Sequence, residues 1–352
     1  MRDSMASFWW ESVTGPATVV TRTVSLLGEA QCVAIRRPCH LPWEDKFRDA
    51  VIEGLRRQQS TRKLLIEVVE DGRSTSPEEV LPSYALDDEA LSWRPHRESL
   101  AAFLRRTRAL QGLLIWVRNL DTDGARKWAE VCGGMKQASA ADGVILLECP
   151  DVHLAGVSEV RYASLVSEYA SRLLCSTIAD STLPPSSTDE RKDYTAALLS
   201  RLCEGDAELA LSLSEVYRPG LDEPLDAMVR LFKEMNELSE KWYIHVWEAQ
   251  LECLFPILES ERLRIVDRHA NQLDELCAEG LTDAFDEPVK SRYDIEIGTL
   301  YWLSNGSCPY RMRLRDCDES EQTRIGVLRD CRNSLAHRHI VSEEIIRQIV
   351  GY

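Results

Sequence analysis

The residues best suited to chemistry lie near the end of the chain, in Leu328-Arg329-Asp330-Cys331-Arg332-Asn333-Ser334-Leu335-Ala336-His337-Arg338-His339. Leu328, Cys331 and Leu335 recur at intervals of three and four, so the spacing predicts a helix with one apolar face. Arg332 and His337 are five residues apart, about 500° around such a helix, and project towards neighbouring faces about one and a half turns apart. A histidine exchanges a proton near neutral pH, and a fixed guanidinium beside it can stabilise a pentavalent phosphate. The competing reading gives the pair no chemistry: Arg332 and Asn333 cap and cross-brace a helical bundle while His337 makes a buried hydrogen bond.

Arg332-Asn333-Ser334-Leu335-Ala336-His337 is an R-x4-H with a polar residue directly after the arginine. It resembles the signature of the HEPN superfamily, all-helical domains found in bacterial toxins, phage-defence effectors and RNA-guided nucleases. The resemblance covers residues 235 to 345. It implies a metal-independent RNase whose site forms where two copies of the motif meet in a homodimer. Arg332 and His337 would then be the catalytic pair, and Asn333 would orient them or contact the RNA. Many domains of this kind are non-catalytic interaction or dimerisation modules, which keeps the bracing alternative open.

A second candidate is the run Arg36-Arg37-Pro38-Cys39-His40-Leu41-Pro42-Trp43-Glu44-Asp45. It follows a strand-like segment and so falls at the carboxyl edge of a sheet, where α/β proteins place ligands. Arg36, Arg37 and His40 can receive an anion there. The alternative is a proline-stiffened loop with Trp43 packed down before a helix start. Val13-Thr14-Gly15-Pro16-Ala17-Thr18 could open a helix at Ala17, with Gly15 at its anion-attracting N-terminus. No phosphate-binding loop of the form GxxxxGK followed by Ser or Thr is present. Leu113 to Val117 reads as a Walker B-like strand whose acid, Asp121, comes too late to hold Mg²⁺ from the strand tip. Gly143 to Leu147 stands in the place of a sensor strand. This order resembles the ATPase core of AAA-type and STAND-type proteins over residues 10 to 180, and without the lysine it is read as degenerate. No cofactor and no metal site are expected.

These candidates need elements to position them. Short apolar, β-branched runs at Cys32–Ile35, Leu64–Val69, Leu113–Val117, Gly143–Leu147 and Leu173–Ile178 predict strands. Helix-like stretches alternate with them at Ala17–Leu27, Glu44–Gln58, Arg97–Leu110, Gly124–Ala140 and Ser158–Ser167. The expected fold is therefore an α/β N-terminal domain over 1–182, with five mainly parallel strands and helices on both faces. Leu183-Pro184-Pro185-Ser186-Ser187-Thr188-Asp189-Glu190 reads as a linker. Residues 191–352 predict an all-α bundle, with helices at Glu190–Cys203, Ala207–Val216, Pro224–Leu238 and Glu240 to Asp267, and a break at Pro219-Gly220. In the long helix Trp242, Trp247 and Phe255 are expected core anchors. His245 and His269 have no ligand partner three or four residues on, and no GxSxG elbow occurs.

Composition bounds the function. The 352 residues carry a net charge of −16, which excludes a chain that coats nucleic acid by charge alone. Residues 189–289 alone carry −14, whereas 290–352 carry +1 and 92–128 carry +5. A polyanion could therefore meet the basic face or the C-terminal segment. The 34 arginines against 8 lysines fit a GC-rich bacterial genome. Eleven cysteines without a CxxC pair read as reduced, buried small hydrophobes, which places the chain in the cytoplasm. No apolar run is long enough for a signal peptide or a membrane span. The expected function is an RNA-cleaving effector or toxin of a phage-defence system, with RNA and partner proteins as its partners and the α/β half as sensor or regulator. The rival is a non-enzymatic adaptor that binds a partner protein through its acidic helical surface, and an ATP-driven switch ranks last.

Overall fold

A computed structural model describes the chain except for residues 30–31, 38–39, 59–64, 91, 136–142, 220–221, 233–239, 284–285 and 352. Pro38, Cys39, Leu64, Gly220 and the ends of the helices expected at 124–140 and 224–238 lie outside the described residues. The chain divides into two compact units, Met1–Leu174 and Cys175–Tyr352.

The first unit begins with α1 (Arg2–Glu11) and α2 (Thr14–Glu29), followed by β1 (Cys32–Arg37), α3 (Glu44–Gln58) and β2 (Leu65–Val69). Short helices α4 (Pro77–Val80) and α5 (Asp87–Ala90) lead to α6 (Leu100–Thr107), β3 (Leu113–Val117), α7 (Thr122–Gly134) and β4 (Val144–Pro150). Last come β5 (Ser158–Arg161), α8 (Tyr162–Leu165) and α9 (Glu168–Thr182), the last of which runs across the division between the units. All strand pairs are parallel, in the order β2-β3-β4-β1-β5.

Central strands of a parallel sheet are covered on both faces, which is why β3 and β4 are apolar without alternation. Leu114 to Val117 and Ile145 to Leu147 are fully buried. On one face Ile115, Val117, Ile145 and Leu147 share a core with Phe103 of α6 and Trp128 of α7. On the other, the Trp116 ring meets Phe47 of α3 at 5.9 Å, and Phe47 meets Trp10 of α1 at 4.7 Å. The Trp10 indole N–H donates to Pro42 O at 2.8 Å, tying the loop after β1 to α1.

Two expected elements change places. Leu173–Ile178 is not a strand but part of α9, because Ala170, Leu174, Cys175, Ile178 and Ala179 form one buried stripe at helical spacing. The fifth strand is Ser158–Arg161, inside the stretch expected to be helical. It pairs only with β1, as an edge strand with a single buried residue, Val160. Helix 97–110 shortens to α6, which ends where Arg108 turns left-handed at φ 54°.

In the second unit, residues 183–188 join α9 to α10 (Asp189–Leu202) without regular structure, and the Thr188 hydroxyl caps α10 by accepting from Arg191 N. There follow α11 (Ala207–Val216), α12 (Pro224–Leu231), α13 (Glu240–Arg268), α14 (Ala270–Ala278), α15 (Ile297–Ser304), α16 (Glu319–Ala336) and α17 (Glu343–Val350). Beside these helices the described residues hold one isolated antiparallel bridge, Thr282 to Pro288. The buried Gln250 amide of α13 both donates to Val341 O at 2.8 Å and accepts from Val341 N at 2.7 Å, fixing the approach to α17. Among the described residues no helix is long and apolar enough to cross a membrane.

Candidate functional site

The helix that carries the R-x4-H motif is built from its ends inward. Asp318 caps α16 by accepting from Glu321 N at 2.7 Å, and Glu319 and Glu321 sit in the first turn, where the helix dipole favours acids. Ile325, Leu328, Cys331 and Leu335 form its buried stripe. The helix closes in a Schellman turn: Arg338 N–H donates to Leu335 O at 3.1 Å and His339 N–H to Ser334 O at 2.8 Å. Arg338 takes the left-handed position at φ 59°, where glycine is usual. Its guanidinium lies 5.3 Å over the Trp247 ring, and the Trp247 indole N–H donates to Leu335 O at 2.9 Å. Trp247 of α13 therefore holds the end of α16 and fixes where His337 emerges.

His337 and Asn333 are exposed, and the His337 ring stands 6.4 Å from that of His339. A buried hydrogen bond for His337 is thus contradicted. Arg332 is half-exposed, with Nη2 3.3 Å from Glu296 Oε2 in a pair open to solvent. It also lines a cavity of about 270 Å³, together with Phe255, Leu258, Glu259, Arg262, Tyr293, Asp294, Ile295, Glu296, Ile297 and Leu328. His337 is not among the lining residues. Trp242 is buried as expected, whereas Phe255 is 49% exposed at this cavity and anchors no core.

The first unit carries its own cluster at the carboxyl edge of the sheet. The connection from β1 leads past β4 and β3, and the connection from β4 leads past β1, so the two adjacent strands diverge and frame the crevice where such sheets hold ligands. Here the crevice is filled by the protein's own charges. Glu148 at the end of β4 is 2% exposed and accepts from the Trp116 indole N–H at 2.6 Å. Arg37 Nη2 stands 3.7 Å and Arg118 Nε 3.8 Å from its carboxylate. Arg37 and Arg118 both pair with Glu44, and Arg118 also reaches Glu70 at 2.8 Å. Burial pushes the Glu148 carboxyl above its ordinary range, against the pull of Arg37, Trp116 and Arg118. Burial pulls Arg118 down, but Glu148, Glu44 and Glu70 outweigh it and hold the guanidinium above its usual value.

Arg36 pairs with Asp151 at 2.9 Å and Glu159 at 2.8 Å, while His40 is exposed. Gly15 is not with them: α2 starts at Thr14, before β1, and a Cβ on Gly15 would lie 2.5 Å from Leu165 O, so the glycine serves close packing. Asp121, the late acid after β3, caps α7 by accepting from Gly124 N at 2.7 Å.

The described cysteines form no disulfide with one another; seven are buried, and Cys253, Cys277 and Cys317 are partly exposed. Burial pushes the Cys149 and Cys331 thiols up to about 12, which leaves them inert at neutral pH. His269 pairs with Glu321 at 3.1 Å, and His245 lies 3.4 Å from Glu204. Among the described residues no group of three or more His, Cys, Asp or Glu could hold a metal ion. Sequence reasoning missed Trp247 as a positioning residue, Glu296, and the partners of Arg37 and Arg118, all of which depend on long-range contacts.

No family model, curated protein or solved structure matches the chain.

Proposed function

We propose that the C-terminal unit is an all-helical, HEPN-like bundle that acts as a metal-independent endoribonuclease in a bacterial phage-defence or toxin system. The observation that carries this reading is exposure. Arg332, Asn333 and His337 face solvent or an open cavity, where bracing side chains would be buried. His337 takes the proton from a ribose 2′-OH, whose oxygen attacks the adjacent phosphorus; Arg332 stabilises the charge that gathers on the phosphate oxygens, and the bond to the 5′ oxygen breaks as that oxygen takes up a proton from water. The products are a 2′,3′-cyclic phosphate and a 5′-hydroxyl. Asn333 orients the pair or contacts the RNA, and two copies of the motif complete the site in a homodimer.

The N-terminal unit is a degenerate P-loop core that senses or regulates. In support, its fourth strand is inserted between the first and third, as in the ATPase cores it resembles. Where a phosphate would meet the helix after β1, Glu44 and Asp45 open α3, and Glu44 already holds Arg37 and Arg118.

The rival, a non-enzymatic adaptor in the same kind of system, draws support from the Arg332–Glu296 pair, which leaves the arginine with a carboxylate instead of a phosphate. Expression in cells and incubation of purified protein with cellular RNA separate the two. The ribonuclease reading predicts toxicity and cleavage that both Arg332→Ala and His337→Ala abolish; harmless expression without cleavage selects the adaptor.

A further inference from the structure

We propose that the cavity beside Arg332 is a guanine subsite, holding the base of a ribonucleotide whose phosphate reaches Arg332; this rests on the ribonuclease reading. At about 270 Å³ the cavity lies just below the roughly 300–1,000 Å³ that drug-sized ligands occupy, so it suits a single ring system. Its walls offer flat and apolar surface. Phe255 and Tyr293 are 49% and 47% exposed, and Leu258, Ile297 and Leu328 line the cavity with them. Exposed aromatic faces are what an unstacked base packs against.

The polar groups choose among the bases. Arg262 is spent on structure: its Nε donates to Glu259 at 2.9 Å, and its Nη1 donates to Tyr293 O at 3.0 Å and Ile295 O at 2.8 Å. That arrangement occupies Glu259 as well and fixes the backbone that carries Asp294 and Glu296. Among the described residues the Asp294 carboxylate accepts no hydrogen bond and Glu296 accepts one only from Arg332, at 3.3 Å, although both lie in the field of the Arg262 guanidinium. The cavity edge is thus rich in unspent acceptors. A carboxylate takes two parallel N–H donors well, as it does from arginine. Guanine alone among the four bases presents such a pair, N1–H beside the N2 amino group. Adenine and cytosine place an acceptor next to their amino group, and uracil flanks its single N–H with carbonyls. A cationic side chain from a protein would also satisfy the carboxylates, but Arg332 in the same wall repels it and attracts a phosphate.

Calorimetric titration of the full chain with GMP, AMP, CMP and UMP tests the proposal. Wild type is expected to bind GMP about tenfold or more tightly than the other three, the discrimination a bidentate pair supplies. The double variant Asp294→Asn/Glu296→Gln loses that preference, while Arg332→Ala weakens all four nucleotides and keeps it. Both variants alter exposed side chains, and unchanged thermal melting shows that they fold. Equal binding of the four nucleotides overturns the subsite, as does a preference that survives the double variant or tighter binding of N-acetylarginine amide than of GMP. Cleavage of RNA without a GMP preference removes the subsite and leaves the nuclease; a GMP preference without cleavage does the reverse.

Discussion

Each unit of this protein places arginines beside glutamates, and the two arrangements have opposite characters. Around Glu148, Arg37 and Arg118 are almost wholly enclosed, and their charges are shared among Glu148, Glu44 and Glu70. Arg332 pairs with a single solvent-exposed carboxylate, Glu296, beside an open cavity and an exposed histidine one and a half turns on. Burial makes the difference. A charge removed from water must be paired inside the fold, and once paired it has little left to offer a ligand. A half-exposed arginine keeps its hydration and can exchange a weak carboxylate partner for a phosphate at small cost. The crevice of the α/β unit is thus a structural joint, and the loosely held pair is the place to look for chemistry.

The largest effect expected of this contrast is on stability. Glu148→Ala strands the Trp116 indole and leaves two largely enclosed arginines with fewer partners, and should destabilise the first unit by about 3 kcal/mol in chemical denaturation. Glu148→Gln keeps an acceptor for Trp116 and is far milder. Its comparison with wild type depends on pH. The folded-state pKa of Glu148 is raised, so stability from this group is full below the unfolded carboxylate value of about 4.3 and falls as pH rises through the raised value. Stability of the glutamine variant relative to wild type should therefore increase with pH across that window. A flat difference would mean that burial does not raise the Glu148 carboxyl.

Smaller effects sharpen the other side. Trp247→Phe removes the indole bond to Leu335 O and should cost about 1 kcal/mol. It should also lower RNA cleavage by loosening the helix end from which His337 emerges. Glu296→Gln breaks only an exposed pair and should shift stability by less than about 0.5 kcal/mol. A shift as large as that of Glu148→Ala would erase the distinction between the two clusters.

Much of this was legible in the sequence, for physical reasons that also explain the misses. The three inner strands, β1, β3 and β4, announced themselves because strands covered on both faces are apolar throughout. The edge strand Ser158–Arg161 buries only Val160 and leaves too short a pattern, while the stronger apolar run at 173–178 belongs to a helix. Arg332 and His337 were found because motif spacing is local. Glu296, Trp247 and the cavity were not, since they come from other elements 36 and 88 residues away in the pairs that matter. The same holds for the 32 residues that separate Trp116 from Glu148. The Gly15 helix start looked like an anion site because sequence shows the glycine but not Leu165 against it.

We propose that half-exposed Arg332 and exposed His337, and not the filled crevice of the α/β unit, perform chemistry. The most direct test is the rate of RNA cleavage by purified protein in the presence of EDTA, compared with His337→Ala, Arg332→Ala and Arg36→Ala. Cleavage should be independent of metal, fall by about 100-fold or more in the first two and stay unchanged in the third. Cleavage that survives His337→Ala, or that EDTA abolishes, would contradict this proposal.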